Sequence, residues 1–270
     1  MVIRITQLVI MLLLAASIPG HANQVVWQSG FENGFPGTEW LDYDGGSYSS
    51  SGVMPAGRTS AWTIINRSSG EPVYSGKHAY KGWIEGKDKT AHRAYPVIHA
   101  NIPTPLINTF MVYLDVDYDR MSNSEWIHFG TWGNHEPETK IGKWALHTMA
   151  VRNRRLEFAH VEPFVGHYIG PANRPYFPLR QWVRITIYIH YEGVTGTVRA
   201  WQDGIPMLEA RVSLLESNPG THLRTAHWGM YGSGSLDHGV QYNDDISICT
   251  LVRPHIGLRE PHCQASQQRK

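Results

Sequence analysis

Charged side chains are scarce in this chain. They make up 17% of its 270 residues, where an average globular domain carries about 25%. Lys and Glu are both thin, which excludes a coiled coil or helical bundle, since those need abundant Ala, Glu, Lys and Leu. Neither sign of charge is in excess. With 24 basic and 23 acidic residues, no basic face is available for a nucleic acid. Disorder is excluded by a hydrophobic content of 41% at a net charge of +1. The glycines follow no Gly-X-Y period, which excludes collagen. Cysteine is limited to Cys249 and Cys263, and no Cys/His metal spacing accompanies them. What is present instead is 10 Trp, 13 Tyr, 15 His and 26 Gly. That inventory predicts a β-rich domain with many side chains able to stack on flat or sugar-like ligands.

The one long apolar run is N-terminal. Arg4 precedes Leu8–Ser17, and Gly20-His21-Ala22 offers small residues for cleavage after Ala22. Residues 1–22 therefore read as a signal peptide, with a mature protein that is secreted or periplasmic and free of membrane once cleaved. Residues 23–258 read as one domain, and 259–270 as a polar C-terminal tail. Cys249 and Cys263 could close a short loop as a disulfide or stay unpaired; spacing alone does not decide.

Period-2 alternation recurs along the mature chain. In Trp182–Tyr191, Val183, Ile185, Ile187 and Ile189 take one face and Arg184, Thr186, Tyr188 and His190 the other. Turns at Glu192–Gly196 and Asp203-Gly204 lead to strands at Thr197–Gln202 and Ile205–Val212. Further strands are expected at His78–Glu85, Ala91–His99, Thr109–Tyr118, Trp126–Trp132, Lys143–Val151, Leu156–His160, Ala226–Tyr231 and Gln241–Leu251. This many antiparallel strands predicts an all-β fold, a two-sheet jelly roll.

The order of several short motifs resembles the jelly-roll polysaccharide lyases of the concanavalin A-like class, among them heparin lyase I, alginate lyases and glucuronan lyases. The motifs are Gly30-Phe31-Glu32-Asn33-Gly34, Ser75-Gly76-Lys77-His78-Ala79-Tyr80, His92-Arg93-Ala94-Tyr95, Trp201-Gln202-Asp203-Gly204, His227-Trp228-Gly229-Met230-Tyr231 and Tyr242-Asn243-Asp244-Asp245-Ile246. Together they cover most of the mature chain. The resemblance implies a concanavalin A-like sandwich that cleaves a uronate polysaccharide by β-elimination, with no cofactor required for catalysis. Three positions depart from the family pattern. His227 stands where the family has Lys, Thr225 where it has its first Tyr, and the family's Gln-x-His strand is matched only by Trp126-Ile127-His128 or the stretch through His135, neither with the Gln.

β-Elimination needs a group to neutralise the uronate carboxylate, a base for the carbon acid and an acid for the leaving oxygen. Arg93 suits the first task through its bidentate fork. His128 suits the base, and Tyr231 the acid or a combined acid and base, with His227 in support. Trp126, Trp132, Tyr95 and His135 are expected to bind the sugar chain. Trp126, His128 and Trp132 are expected to share one strand face, and Gly229 to leave room for a sugar ring beside Tyr231. An acidic polysaccharide is the expected partner and a monomer the expected state.

Two other readings stand beside this one. The domain could bind carbohydrate without cutting it. It could also be a glycoside hydrolase, since Asp115, Asp117 and Asp119 alternate along one strand and paired carboxylates perform that reaction. A structural Ca²⁺ between Glu32 and Asp245 is a further expectation, as such acids meet on adjacent strands in many jelly rolls.

Overall fold

The computed structural model describes residues 23–33, 48–133, 146–162, 165–169, 176–214 and 220–263. The expected signal peptide (1–22), His135 and residues 264–270 lie outside these. Fifteen strands are present among the described residues: β1 (Gln24–Ser29), β2 (Ser60–Asn66), β3 (His78–Glu85), β4 (Ala91–Ala94), β5 (Val97–Pro103), β6 (Leu106–Asp115), β7 (Trp126–Gly133), β8 (Leu146–Arg152), β9 (Arg155–Glu162), β10 (Val165–Ile169), β11 (Trp182–Glu192), β12 (Thr195–Gln202), β13 (Ile205–Ser213), β14 (His222–Ser233) and β15 (His238–Thr250). They form two antiparallel sheets packed as a sandwich. The first runs β13-β12-β11-β6-β15-β3-β2, with β1 also on β15; the second runs β10-β9-β8-β7-β14-β4, with β5 also on β14.

Alternation builds the core. Val183, Ile185, Ile187 and Ile189 of β11 all point between the sheets, where they meet Phe129, Met149 and Phe158 from the other side. β2 escapes a period-2 reading because both of its faces are covered. Trp62 enters the main core, while Ile65 joins a second cluster on the outer side of the first sheet. The expected strand Ala91–His99 is two strands. Tyr95-Pro96 interrupts it, as Pro offers no N–H to a ladder, and β14 changes partner there from β4 to β5.

Tyr80 uses that break. It rises from β3 of the first sheet, and its buried hydroxyl donates to the Ala94 carbonyl and accepts from the Met230 N–H at 3.0 Å. Its ring fills the space over Gly229, whose φ is +129°. A Cβ at Gly229 would lie 2.6 Å from the Tyr80 oxygen and 2.9 Å from Tyr95 Cβ. The room that the sequence suggested for a sugar ring is thus taken by Tyr80.

A second tie joins the sheets through Asn108. This fully buried residue of β6 accepts at Oδ1 from both Trp132 Nε1 and Trp228 Nε1, each at 2.9 Å, and donates to the Ser247 carbonyl at 2.8 Å. One carboxamide therefore fixes β7 and β14 of the second sheet to β6 and β15 of the first.

The C-terminal segment is more ordered than a polar tail from residue 259 implies. Cys249 and Cys263 form a disulfide. Glu260 is buried, accepting from Thr186 Oγ1 and from the Arg184 guanidinium, while the Leu258 carbonyl accepts from Trp201 Nε1. The segment up to Cys263 straps the outer side of the first sheet.

Asn108→Leu keeps similar volume but leaves two buried indole N–H groups unpaired. At about 1–3 kcal/mol each, the variant should lose about 3 kcal/mol in chemical denaturation, and an unchanged midpoint would refute the tie. Gly229→Ala should cost about 2 kcal/mol or more from backbone strain and overlap. Its cost should shrink in a Tyr80→Phe background, a coupling that a double-mutant cycle reads directly.

Candidate functional site

The second sheet buries one face and presents the other. Ile127 and Phe129, Trp228 and Met230, Met149 and Val151, and Leu156 and Phe158 all enter the core. Away from the bulges described below, their alternate neighbours point outward. Register then aligns Arg93 of β4, Tyr231 of β14, His128 of β7, Ala150 of β8 and Glu157 of β9 in one row across five strands. The side chains touch. The Arg93 guanidinium carbon lies 5.5 Å from the Tyr231 ring centre. His128 and Tyr231 meet edge to face at 5.3 Å, and Trp126 packs on both at 4.3 and 4.9 Å. Tyr95 meets Tyr231 at 5.8 Å and stacks flat on His227 at 3.9 Å. Six residues singled out in the sequence thus form one continuous patch.

Trp132 does not join them. β7 carries a bulge between His128 and Gly130, so Phe129 and Gly130 both turn inward and the alternation resets. A Cβ on Gly130 would sit 2.7 Å from the Trp132 ring. Trp132 is consequently fully buried, with its indole on Asn108, and cannot meet a ligand. A one-residue insertion of this kind leaves no mark in an alternation pattern.

His128 is 7% exposed, and neither ring nitrogen has a hydrogen-bond partner. Burial, with a smaller push from the Arg152 cation, lowers its pKa to about 3. The imidazole is neutral at neutral pH. Arg152 stands across from Trp126 on β8 and pairs with buried Glu157 at 3.3 Å. The sequence reading missed both. The alternation Thr148, Ala150, Arg152 along β8 was the available signal, hidden because the expected strand stopped at Val151.

The other expectations fall elsewhere. Asp115 ends β6 on the first sheet and pairs with Arg180 at 2.8 Å, while Asp119 lies in the following turn and pairs with Arg154 at 2.8 Å. Asp117 caps the Asp119 N–H and lines a small polar cavity with Arg120, Glu125 and Asp237. These acids do not form a pair on the aromatic face. Glu32 and Asp245 flank Gly30, and each accepts hydrogen bonds. Glu32 accepts from Lys77 N, His78 N and His78 Nδ1, and Asp245 accepts from Ser75 Oγ. Neighbouring Asp244 accepts from Tyr74 N and Ser75 N. The acids clamp the turn before β3, and among the described residues no three His, Cys, Asp or Glu side chains gather as a metal site. His147 faces the core, against Phe158 and Tyr191.

No family model matches the chain, and no curated protein matches it in sequence. Solved structures do resemble it. One, an endo-acting O-glycanase of the human gut microbiota that initiates mucin breakdown, aligns over 84% of this chain and 100% of its own at a TM-score of 0.53 and 11% identity. An alginate lyase aligns over 81% of this chain and 97% of its own at 0.46 and 11% identity. A carbohydrate-binding module from Bacillus subtilis aligns over 64% and 83% at 0.34 and 9%. At these identities the likeness is one of fold. No helix among the described residues is long and apolar enough to cross a membrane.

The shielded imidazole has a measurable consequence. Its unfolded pKa is about 6.5, so below that pH the unfolded chain takes up a proton that the native state refuses. The contribution to stability is present above pH 6.5 and is lost as pH falls toward about 3. Burial also lowers His92 and His99, so a His128→Asn variant isolates the effect. Wild type should lose more stability than the variant between about pH 7.5 and pH 4.5, and equal losses would show that His128 is not shielded.

Proposed function

We propose that this protein is a polysaccharide lyase that cleaves a uronate-containing chain by β-elimination on the outward face of the second sheet. The observation carrying this reading is the row Arg93–Tyr231–His128, in which a cation, a phenol and a neutral imidazole sit on three adjacent strands. In the reaction a proton leaves the carbon next to the carboxylate, that electron pair forms a carbon–carbon double bond, and the glycosidic carbon–oxygen bond breaks. The leaving oxygen takes up a proton.

Each residue has a role suited to its place. Arg93 holds the uronate carboxylate and stabilises the charge that spreads onto it. His128 is neutral and so free to accept the proton. Burial, with a smaller push from Arg152, weakens it as a base, and a carboxylate bound at Arg93 would favour its protonated form and raise its basicity. Tyr231 lies between the two on the middle strand, placed to donate to the leaving oxygen or to act as base. Trp126 and Tyr95 with His227 flank this centre as walls for the sugar rings.

The test is incubation of residues 23–270 with alginate, glucuronan and heparin-type chains while following the ultraviolet absorbance of a 4,5-unsaturated uronate. Absorbance should rise with one of them. Tyr231→Phe should lower the rate by about 100-fold or more, and Arg93→Ala should weaken kcat and substrate binding together. New reducing ends without the absorbance would replace this reading by hydrolysis. Binding without either signal would leave a carbohydrate-binding protein.

A further inference from the structure

A second row of outward side chains runs beside the one containing His128. Thr131 of β7 stands opposite His227 of β14 on one side and Thr148 of β8 on the other. Thr131 lies between Gly130 and Trp132, which turn inward; Thr148 lies between His147 and Met149, which do the same. Both threonines therefore project onto the face that carries His128. They are 2% and 3% exposed, and neither hydroxyl has a hydrogen-bond partner.

A shielded hydroxyl without a partner costs about 1–3 kcal/mol, and native proteins hold few of them. Neighbouring threonines on adjacent strands readily satisfy each other, as Thr109 and Thr186 do at 3.2 Å on the first sheet. Thr131 and Thr148 are cross-strand neighbours and do not. Valine would fill the same volume and suit a strand equally well. No hydrogen bond of the fold uses these two hydroxyls, so their donors and acceptors are uncommitted.

We propose that Thr131 and Thr148 form a hydrogen-bonding subsite for the hydroxyl groups of a sugar residue next to the one held at His128 and Tyr231. This rests on the reading of the face as sugar-binding. Each hydroxyl can donate once and accept twice, which matches a pair of neighbouring sugar hydroxyls. The row runs Val97, His227, Thr131, Thr148, Ala159 and contains no Lys or Arg. A sulfate ester placed there would lose its water without gaining a cation. The subsite therefore selects an unsulfated residue.

The experiment uses the double variant Thr131→Val/Thr148→Val. Its melting temperature without ligand, and its binding of an unsulfated oligouronate, an O-sulfated oligouronate and a neutral β-1,4-linked oligosaccharide, are compared with wild type by calorimetry. The expected result is a melting temperature equal to or above wild type, with about tenfold weaker binding of the unsulfated sugar. Wild type should bind the sulfated chain at least tenfold more weakly than the unsulfated one. A melting temperature several degrees lower would show that the hydroxyls serve the fold, and unaltered affinity would show that they touch no sugar; either overturns the proposal. Equal binding of sulfated and unsulfated chains overturns the selectivity. If wild type binds only the neutral oligosaccharide, the uronate reading fails while the subsite is judged on that sugar by the same numbers. If it binds none of the three, both fail.

Discussion

The buried carboxamide of Asn108 is the point on which the two sheets agree. Its Oδ1 takes both indole N–H groups, from Trp132 of β7 and Trp228 of β14. A buried indole needs an acceptor, and a single oxygen with two lone pairs serves both. β7 and β14 are therefore held in fixed depth and register against β6. Those two strands also carry His128 and Tyr231 on their outer side. The polar contact at the centre of the core thus fixes where those two side chains stand on the surface. A purely apolar core could bury as much area, but it would specify the rotation of these strands less tightly.

Two irregularities then place the groups. The bulge at Phe129-Gly130 turns Trp132 inward without disturbing His128. β14 carries a second bulge between Trp228 and Tyr231, opposite β7. Tyr80 reaches across from the first sheet to hold it, with its hydroxyl bonded to Met230 and Ala94. The break at Tyr95-Pro96 makes space for that hydroxyl and leaves Tyr95 free to stack on His227. Bulges beside a site re-aim side chains in this way. Here they gather His227 and Tyr231 of β14, Arg93 of β4 and Tyr95 of the break after it into one patch.

Much of this was legible in the sequence, and the remainder was not for identifiable reasons. β3 spans the same residues as its alternation implies, and β11 differs by one residue, because each has one face in the core and one covered less fully. β2 was invisible because Trp62 and Ile65 are both buried on opposite faces, which removes the polar half of the pattern. Arg93, His128 and Tyr231 could be named from motif order. Their alignment in one row follows from strand register, which pairs β4 with β14 and β14 with β7 across long sequence separations. Trp132 was misplaced for want of one extra residue in β7. Gly229 was noticed for a real feature, the absence of a side chain. What fills the gap is Tyr80, from about 150 residues earlier, and no local pattern points to it.

The shortage of charge also acquires a physical sense. On the outward face of the second sheet the described cations include Arg93 at one end of the row and Arg152, paired with Glu157, toward the other. A Coulomb interaction strengthens as water is removed, so one guanidinium adds to the effect that burial has on the His128 imidazole. A field of lysines would add attraction for any polyanion, but would be screened by salt and would select little. With His128 already stripped of water, a bound carboxylate acts on it through a low-dielectric path. Under the lyase reading, the negative charge that Arg93 holds is also what restores the basicity that burial removed. The substrate would then complete its own catalyst, and a neutral sugar entering the same groove would leave His128 unreactive.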